Sequence, residues 1–307
     1  MTCPVPHLAT ATTPDHVSDA VARFERVGGS VLFSLFGVGL FDQTMLPPVS
    51  AALEDTGRAR TEPWARAVRT AAADQLIYHG EDPDRATEAE RLMVLHRDVK
   101  GVGPDGERYS ALNPQSWNWI LYSTFFVQRG AYLALTDGEP TRAENQAIWD
   151  HYRHKTAGLH LPGKSRPIED YTELVAHYAH MAATELRPTP ALATAVATVR
   201  HAPRPFFLPA ATGPLWRLSS PALGHLLMVL GCGIMHPDVR AHMPYRWTRR
   251  HDREFQAITT ALRVAFDRLP ATVTDSPMAR NRRKYQQLVS KYRDVGLTSF
   301  APDAALR

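Results

Sequence analysis

The chain has 307 residues, of which 44% are hydrophobic, so it is long enough and apolar enough to bury a substantial core. This composition excludes a chain that is disordered throughout. Its 35 Lys and Arg residues nearly balance its 31 Asp and Glu residues, which argues against a nucleic-acid partner. Cys3 and Cys232 are the only cysteines, so a disulfide framework is excluded and a reducing, cytoplasmic compartment is favoured.

Apolar residues recur at helical spacing along almost the whole chain, and few segments alternate with period two. The predicted helices span residues 15–26, 63–78, 84–99, 114–135, 141–157, 168–186, 190–199, 221–232, 237–243 and 248–269. The pattern predicts an all-α fold, with residues 1–307 in one mostly helical domain and mobile tails at 1–14 and 294–307. The proline-rich stretch 201–214 is interpreted as a long connection inside that domain.

The most apolar segment, residues 30–41, is too short to span a bilayer, which takes about 20 apolar residues. It also lacks a basic leader followed by a small-residue cleavage site. We therefore expect a buried helix and no transmembrane segment. Phe33, Phe36 and Phe41 leave peripheral membrane contact open, although burial is the ordinary role of such aromatic residues.

One histidine stands on the apolar side of the helix predicted at 84–99. Ala89, Leu92, Met93, His96 and Val99 share that side at helical spacing. A buried imidazole is favoured in its neutral form, which is the form that binds iron or zinc. From the residues alone, His96 is either a hydrogen-bonded core histidine or a metal ligand.

A second group of polar residues lies about twenty positions upstream. Arg66, Arg69 and Thr70 share one side of the helix predicted at 63–78. They could form a solvated surface that pairs with nearby acids. Alternatively, the guanidinium groups could neutralise cofactor carboxylates or polarise bound oxygen, because their planar fork matches a carboxylate and stays charged.

The order and spacing of motifs resemble the haem-dependent oxygenase family. That family includes the latex-clearing rubber oxygenases and the fungal oxygenase that shortens a farnesyl side chain in mycophenolic acid biosynthesis. The motifs are Arg66-x-x-Arg69-Thr70, His96-x-x-Val99-x-Gly101, Asp105-Gly106, Tyr109-Ser110-Ala111, Asn113-Pro114, Trp119, His151-Tyr152-Arg153 and Pro244-Tyr245-Arg246-Trp247-Thr248. The resemblance covers about residues 31–282.

The resemblance implies a globin-like helical core around a buried haem b. It implies that His96 is the axial ligand of the iron and that Trp119 helps to bind the cofactor. It further implies that Arg66, Arg69 and Thr70 line the haem and act in catalysis near the oxygen-binding side. The implied substrates are a hydrophobic organic molecule and either dioxygen or peroxide.

Two residues depart from the family pattern. Arg69 stands where rubber oxygenases place a distal lysine, and an arginine cannot lose its proton and coordinate iron. We therefore expect Arg69 to donate hydrogen bonds. Leu121 stands where many members have a histidine, which removes one rival ligand and gives more weight to His96.

Three alternatives stay open on the sequence. A peroxidase or peroxygenase could use the same scaffold, and a helical protein could bind haem without turnover. A non-haem metalloenzyme is the third, because Glu173, His177 and His180 share one side of the helix predicted at 168–186. A solvated polar surface is the ordinary explanation of that spacing.

Overall fold

A computed structural model describes residues 14–57, 61–103, 106–161 and 166–295. It contains one mostly helical domain, so the predicted all-α fold is confirmed. Cys3, Asp105 and nearly all of the two predicted tails lie outside the described residues. Cys232, the other cysteine, is buried and forms no disulfide within the described part of the chain, and burial raises the pKa of its thiol to about 12.

Helices follow one another through most of the described chain. They are α1 (Pro14–Gly28), α2 (Pro47–Thr56), α3 (Pro63–His79), α4 (Asp82–Arg97), α5 (Pro114–Leu135), α6 (Arg142–Lys155), α7 (Tyr171–Thr184), α8 (Pro190–Arg200), α9 (Gly213–Ile234), α10 (Pro237–Ala241), α11 (Arg249–Arg268), α12 (Ala271–Thr274) and α13 (Pro277–Asp294). Helices of the tighter 3-10 type, with about three residues per turn, occupy Val31–Met45, Ala157–Leu159 and Ala210–Thr212. Strands β1 (Lys100–Val102) and β2 (Arg108–Ser110) pair antiparallel, with Gly101 opposite Tyr109.

Helix α5 runs through the centre of the domain. Asn113 caps its first turn, because its side-chain oxygen accepts hydrogen bonds from the backbone N–H groups of Gln115 and Ser116. Phe125 is fully buried, with its ring centroid 4.8 Å from that of Trp149 and 5.2 Å from that of Tyr152. Burial of such a side chain contributes about 1.5–3 kcal/mol. These aromatic contacts join α5 to α6.

The apolar segment predicted as a buried α-helix is instead the 3-10 helix Val31–Met45. It passes so close to α9 that a Cβ on Gly231 would lie 2.4 Å from the Cβ of Val38. Glycine at position 231 therefore permits the contact, and two further glycines in the segment lower its α-helix propensity. Phe36 is fully buried, while Phe33 and Phe41 are half-buried and pack against the core clusters.

The structure corrects several predicted boundaries. The β1–β2 hairpin was not predicted, because strands of three residues are too short to show alternation. Pro47 and Pro48 begin α2, since proline fits the first helical turn. Helix α9 begins at Gly213 and continues through Pro221, about two turns before the predicted start.

One helical stretch, Ala210–Ile234, is long and apolar enough to cross a membrane by length and composition. This property alone does not establish a transmembrane segment, because a buried core helix has the same composition. Met228, Val229 and Leu230 on this stretch are fully buried within the domain.

Candidate active site

The two predicted site helices, α3 and α4, form a helical hairpin. Only Gly80 and Glu81 join them. A Cβ on Gly80 would lie 2.3 Å from the carbonyl oxygen of Leu76, so the connection requires glycine. Arg66 and His96 each lie about four turns from this connection on their own helices. The hairpin therefore carries both of the predicted site clusters toward its open end.

His96 is half-buried in the last turn of α4. Its Nδ1 lies 2.7 Å from the carbonyl oxygen of Leu92, and an N–H at that position donates to the carbonyl. The lone pair of the imidazole then resides on Nε2, which has no hydrogen-bond partner among the described residues. Such a bond from the second ring nitrogen to a backbone carbonyl is typical of metal-binding histidines.

Trp117, on α5, forms the wall beside His96. The two ring centroids are 5.4 Å apart and the rings are nearly perpendicular, at 79°. Trp117 is itself held by a 2.6 Å hydrogen bond from its Nε1 to the carbonyl oxygen of Leu159. The imidazole is therefore oriented by a backbone carbonyl on one side and by a fixed indole ring on the other.

Arg66, Arg69 and Thr70 are solvent-accessible on α3. The Arg69 guanidinium lies 3.3 Å from the carboxylate of Glu62, and both side chains are more than half exposed. Arg66 is also exposed, yet burial lowers the pKa of its guanidinium, and the neighbouring charge of Arg69 lowers it further. Arg66 therefore reaches solvent although protein atoms lie around it, which we interpret as a concave part of the surface.

Asp74 extends this concave surface by one turn. Its carboxyl has no hydrogen-bond or ion-pair partner among the described residues, and the side chain is half-buried. Desolvation by the surrounding protein raises the pKa of Asp74 to about 7. Helical spacing aligns it with Arg66 and Thr70. We name the surface along Arg66, Thr70 and Asp74 the α3 recess.

Exposed apolar side chains also occur on the two helices of the hairpin. Val68 on α3 and Val94 and Leu95 on α4 are each about half exposed. Trp64 holds the first turn of α3 to the segment before α9, because its Nε1 donates a 2.6 Å hydrogen bond to the carbonyl oxygen of Pro203. The connection 201–212 therefore fixes the open end of the hairpin.

The structure separates Trp119 from His96. Trp119 is 1% exposed and stacks on Tyr178 with ring centroids 5.1 Å apart. Its Nε1 is buried and has no hydrogen-bond partner among the residues that the structure describes. Leu121, in contrast, packs in the same cluster as Trp117. The aromatic residue that contacts His96 is thus Trp117, whereas Trp119, which the resemblance implies as a cofactor-binding residue, stacks on Tyr178.

The hydrogen bonds, ion pairs and ring contacts of the described residues do not join His96 to Arg66, Arg69 or Thr70. Asp74 was not predicted as a site residue. Its spacing of four positions after Thr70, on the same side of α3, is the signal in the sequence that could have identified it.

The other constellation of potential ligands does not form a cluster. Glu173 and His180 are exposed, and the His177 ring lies against Tyr122 with centroids 5.6 Å apart. Within the described ranges, no group of three or more His, Cys, Asp or Glu side chains could hold a metal ion. A haem needs only one protein ligand, so this finding does not test His96.

The fold and site define a mostly helical domain in which a half-buried histidine and a cationic recess are carried by one helical hairpin. Residues 25–264 match the family model described as the catalytic domain of ER-bound oxygenase mpaB/B′ and rubber oxygenase. The chain belongs to this family, which confirms the resemblance noted in the sequence and makes the domain an oxygenase catalytic domain.

Two curated relatives are uncharacterized proteins of Mycobacterium bovis and Mycobacterium tuberculosis. Each is 25% identical to this chain over 223 residues, which cover 70% of this chain and 79% of the relative. No solved structure matches the chain.

Proposed function

We propose that the protein is a haem b-dependent oxygenase that oxidises a hydrophobic organic substrate, with His96 as the axial iron ligand. The observation that carries this proposal is the 2.7 Å contact between His96 Nδ1 and the Leu92 carbonyl oxygen. It leaves Nε2 as the acceptor nitrogen, and the described residues leave that nitrogen without a partner. An imidazole oriented in this way fits haem iron.

The residues around His96 also suit a flat apolar cofactor. Leu92 and Met93 pack against the cluster that contains Trp117, and helices α3, α4 and α5 would enclose the haem as in a globin-like core. When bound, haem b would supply redox-active iron that reacts with dioxygen or peroxide. Trp119 would support this site indirectly, by fixing α5 through its stacking on Tyr178.

Arg66 and Arg69 would act as fixed hydrogen-bond donors and positive charges in the site. Two neighbouring guanidinium groups repel each other, and an anionic group bound between them relieves that repulsion. Carboxylates of a cofactor or an oxygen-bearing reactant would meet this need. Thr70 adds a hydroxyl one residue beyond Arg69 and would orient the same reactant.

Exposed apolar side chains on α3 and α4 favour a hydrophobic substrate. Val68, Val94 and Leu95 expose apolar surface that a bound hydrophobic molecule would cover. The size and identity of the substrate are matters for substrate screening.

A peroxygenase is the second candidate, and Asp74 is the observation that favours it. A carboxyl without a partner and with a pKa of about 7 can exchange a proton with a bound peroxide near neutral pH. Screening substrates separately with dioxygen and with peroxide separates the two candidates. A haem protein that turns over no substrate with either oxidant would be a non-catalytic haem-binding protein instead.

Haem titration followed by absorption spectroscopy tests the proposal. The wild-type protein should bind haem and give a strong Soret band, whereas His96→Ala should lose it. His180→Ala is the matched control, because His180 is exposed on α7 and belongs to the alternative metal constellation. If the wild-type protein binds no haem, or if His96→Ala binds it as well as His180→Ala does, the proposal fails.

A further inference from the structure

Strongly exposed apolar side chains cluster around the start of α9. Phe206 and Phe207 are 67% and 58% exposed in the connection before the helix, and Leu215 and Leu218 are 67% and 80% exposed in its first turns. These four belong to the six most exposed large apolar side chains among the described residues. An exposed apolar cluster is typical of a surface that contacts a protein or a membrane. We name these four residues the α9 patch.

Two tryptophan rings connect the members of the α9 patch. The ring centroid of Trp64 lies 6.3 Å from that of Phe207 and 5.8 Å from that of Trp216. Phe206 lies against Phe207, with centroids 5.4 Å apart. Trp216 directly follows the first leucine of the patch, and the two leucines stand one turn apart on the same side of α9. The patch is therefore one continuous apolar surface.

The connection that carries the two phenylalanines is held by hydrogen bonds. Trp64 and Trp216 donate to backbone carbonyl oxygens of the connection, at 2.6 Å and 2.9 Å. The Arg204 guanidinium donates to the carbonyl oxygen of Leu208, on the other side of the phenylalanine pair. Because the backbone is ordered before binding, little conformational entropy opposes the burial of the phenyl rings. Both indole N–H groups are satisfied, so these rings can enter an apolar phase without an unpaired donor.

The free charges beside the α9 patch are positive. The sequence has no Asp or Glu between Glu185 and Asp238, whereas this interval contains four arginines. Arg200 and Arg217 are exposed, and neither forms an ion pair among the described residues. Arg217 lies within the first turns of α9. Arg200 lies beside the same helix, because a Cβ on Gly224 would lie 3.2 Å from the Arg200 Cα.

Two carboxylates on neighbouring elements are already paired with other arginines. Glu62, two residues before Trp64, lies 3.3 Å from the guanidinium of Arg69. Glu254 lies on α11, which packs against α9, and it accepts a 2.7 Å hydrogen bond from Arg250. The arginines beside the patch therefore remain available to an external anion.

We propose that the α9 patch binds the surface of a lipid bilayer that contains anionic lipids. Phe206 and Phe207 would enter the boundary between headgroups and acyl chains, while Arg200 and Arg217 would pair with lipid phosphates. The charge pattern favours lipid over a second copy of the chain. A second copy would bring the same arginines to the other side of the interface, and like charges across an interface oppose association. This binding goes beyond the proposed function and needs no haem.

The length of the exposed apolar part of α9 limits how deeply the patch can insert. The exposed apolar residues of this helix lie between Pro214 and Ala222, whereas Met228, Val229 and Leu230 are fully buried in the domain. At about 1.5 Å per residue, the exposed part is roughly 14 Å long, less than half of the ~30 Å hydrocarbon core of a bilayer. The patch therefore suits contact with one face of a membrane.

Co-sedimentation of the purified protein with vesicles tests the proposal. Wild type should bind vesicles of phosphatidylcholine mixed with phosphatidylglycerol more tightly than vesicles of phosphatidylcholine alone, and high salt should reduce this difference. Phe206→Ser/Phe207→Ser should lower the affinity for the mixed vesicles at least about tenfold, because the apolar contact of both rings is lost. Val102→Ser, which removes an exposed apolar side chain from β1, should bind as wild type does. Equal affinities of the double variant and Val102→Ser would overturn the proposal.

Arg217→Gln tests the electrostatic contribution. It should lower the affinity for the mixed vesicles about fivefold and leave the affinity for phosphatidylcholine alone unchanged, because a basic residue near an anionic surface is attracted to it. Arg108→Gln, which removes an exposed charge from β2, should change neither affinity. Equal effects of the two substitutions would contradict the pairing of Arg217 with lipid phosphates.

Two further results would assign the surfaces differently. A wild-type dimer in lipid-free buffer that Leu218→Ser converts to a monomer, as measured by sedimentation velocity, would show that a second copy covers the patch. Loss of vesicle binding in Leu288→Ser, on the basic helix α13, with binding kept in Phe206→Ser/Phe207→Ser, would place the membrane contact on α13. Either result would overturn the proposal. Absence of haem binding would refute the proposed function alone, because the vesicle experiments use the protein without haem.

Discussion

Two aspartates, the fully buried Asp42 and the half-buried Asp74, differ in how their carboxyl groups are satisfied. Asp42 is fully buried and accepts hydrogen bonds from Ser123, at 2.5 Å, and Tyr178, at 2.7 Å. Burial nevertheless raises its pKa to about 6. Asp74 has no such donors and borders the α3 recess. The Asp42 carboxyl is satisfied by donors within the core. The Asp74 carboxyl has no partner among the described residues, so a ligand bound in the α3 recess could pair with it.

The two tryptophans of α5 show the same contrast. Trp119 is enclosed by the core around Tyr178, while Trp117 orients His96 at the edge of the open region. Under the proposed function, the polar and aromatic residues near α3 and α4 would contact an occupant. Those near the Val31–Met45 segment contact each other. Each of the following variants distinguishes a residue that stabilises the core from one that would contact a bound ligand.

Trp119→Ala should have the largest effect on stability. Removal of this fully buried indole should lower the free energy of unfolding by about 3–5 kcal/mol, measured by urea denaturation. Trp119→Phe is the informative companion, because the indole N–H has no partner to lose. It should keep haem binding intact. Loss of haem binding in a folded Trp119→Phe protein would show instead that Trp119 contacts the cofactor.

Replacing each aspartate by alanine tests the comparison directly. At pH 5 both carboxyls are largely protonated in the folded state, since their pKa values are about 6 and about 7. Asp42→Ala leaves the hydroxyls of Ser123 and Tyr178 without an acceptor and should cost about 1–3 kcal/mol. Asp74→Ala should cost less than about 1 kcal/mol. Equal losses in urea denaturation at pH 5 would contradict the distinction between them.

Arg69→Lys should have the smallest effect on stability. The Arg69–Glu62 pair is exposed, so its replacement should change the free energy of unfolding by less than about 0.5 kcal/mol. A lysine can lose its proton and coordinate iron, whereas an arginine cannot. The absorption spectrum of the haem-loaded variant should therefore change at alkaline pH. The spectrum of Arg250→Lys, an exposed arginine on α11, should stay as in wild type; an unchanged Arg69→Lys spectrum would place Arg69 away from the iron.

The sequence predicted the helical fold well, because apolar residues recur at helical spacing in most of the helices. Helix α5 begins and ends where predicted, at Pro114 and Leu135, since a proline and an asparagine cap mark its start. The 3-10 form of Val31–Met45 could not be predicted, because it depends on close contact with Gly231 of α9, far along the chain. Local periodicity contains no information on such distant contacts.

The candidate site was predicted only in part, because some of its features also depend on contacts between residues that are distant along the chain. Motif spacing identified His96, Arg66 and Arg69, but the orientation of the imidazole depends on Trp117 and on a backbone carbonyl. Asp74 was missed because its distinguishing property is the lack of a partner in the folded chain. Sequence shows which residues are present, and only the fold shows which of them remain unsatisfied.

Chemical rescue of His96→Gly tests the central claim most directly. The variant should bind haem weakly and lose the wild-type Soret band, because the axial ligand is absent. Addition of imidazole should then restore a spectrum close to that of wild type, as a free imidazole occupies the space left by the side chain. A His96→Gly protein that binds haem with the wild-type spectrum before imidazole is added would contradict the assignment of His96 as the iron ligand.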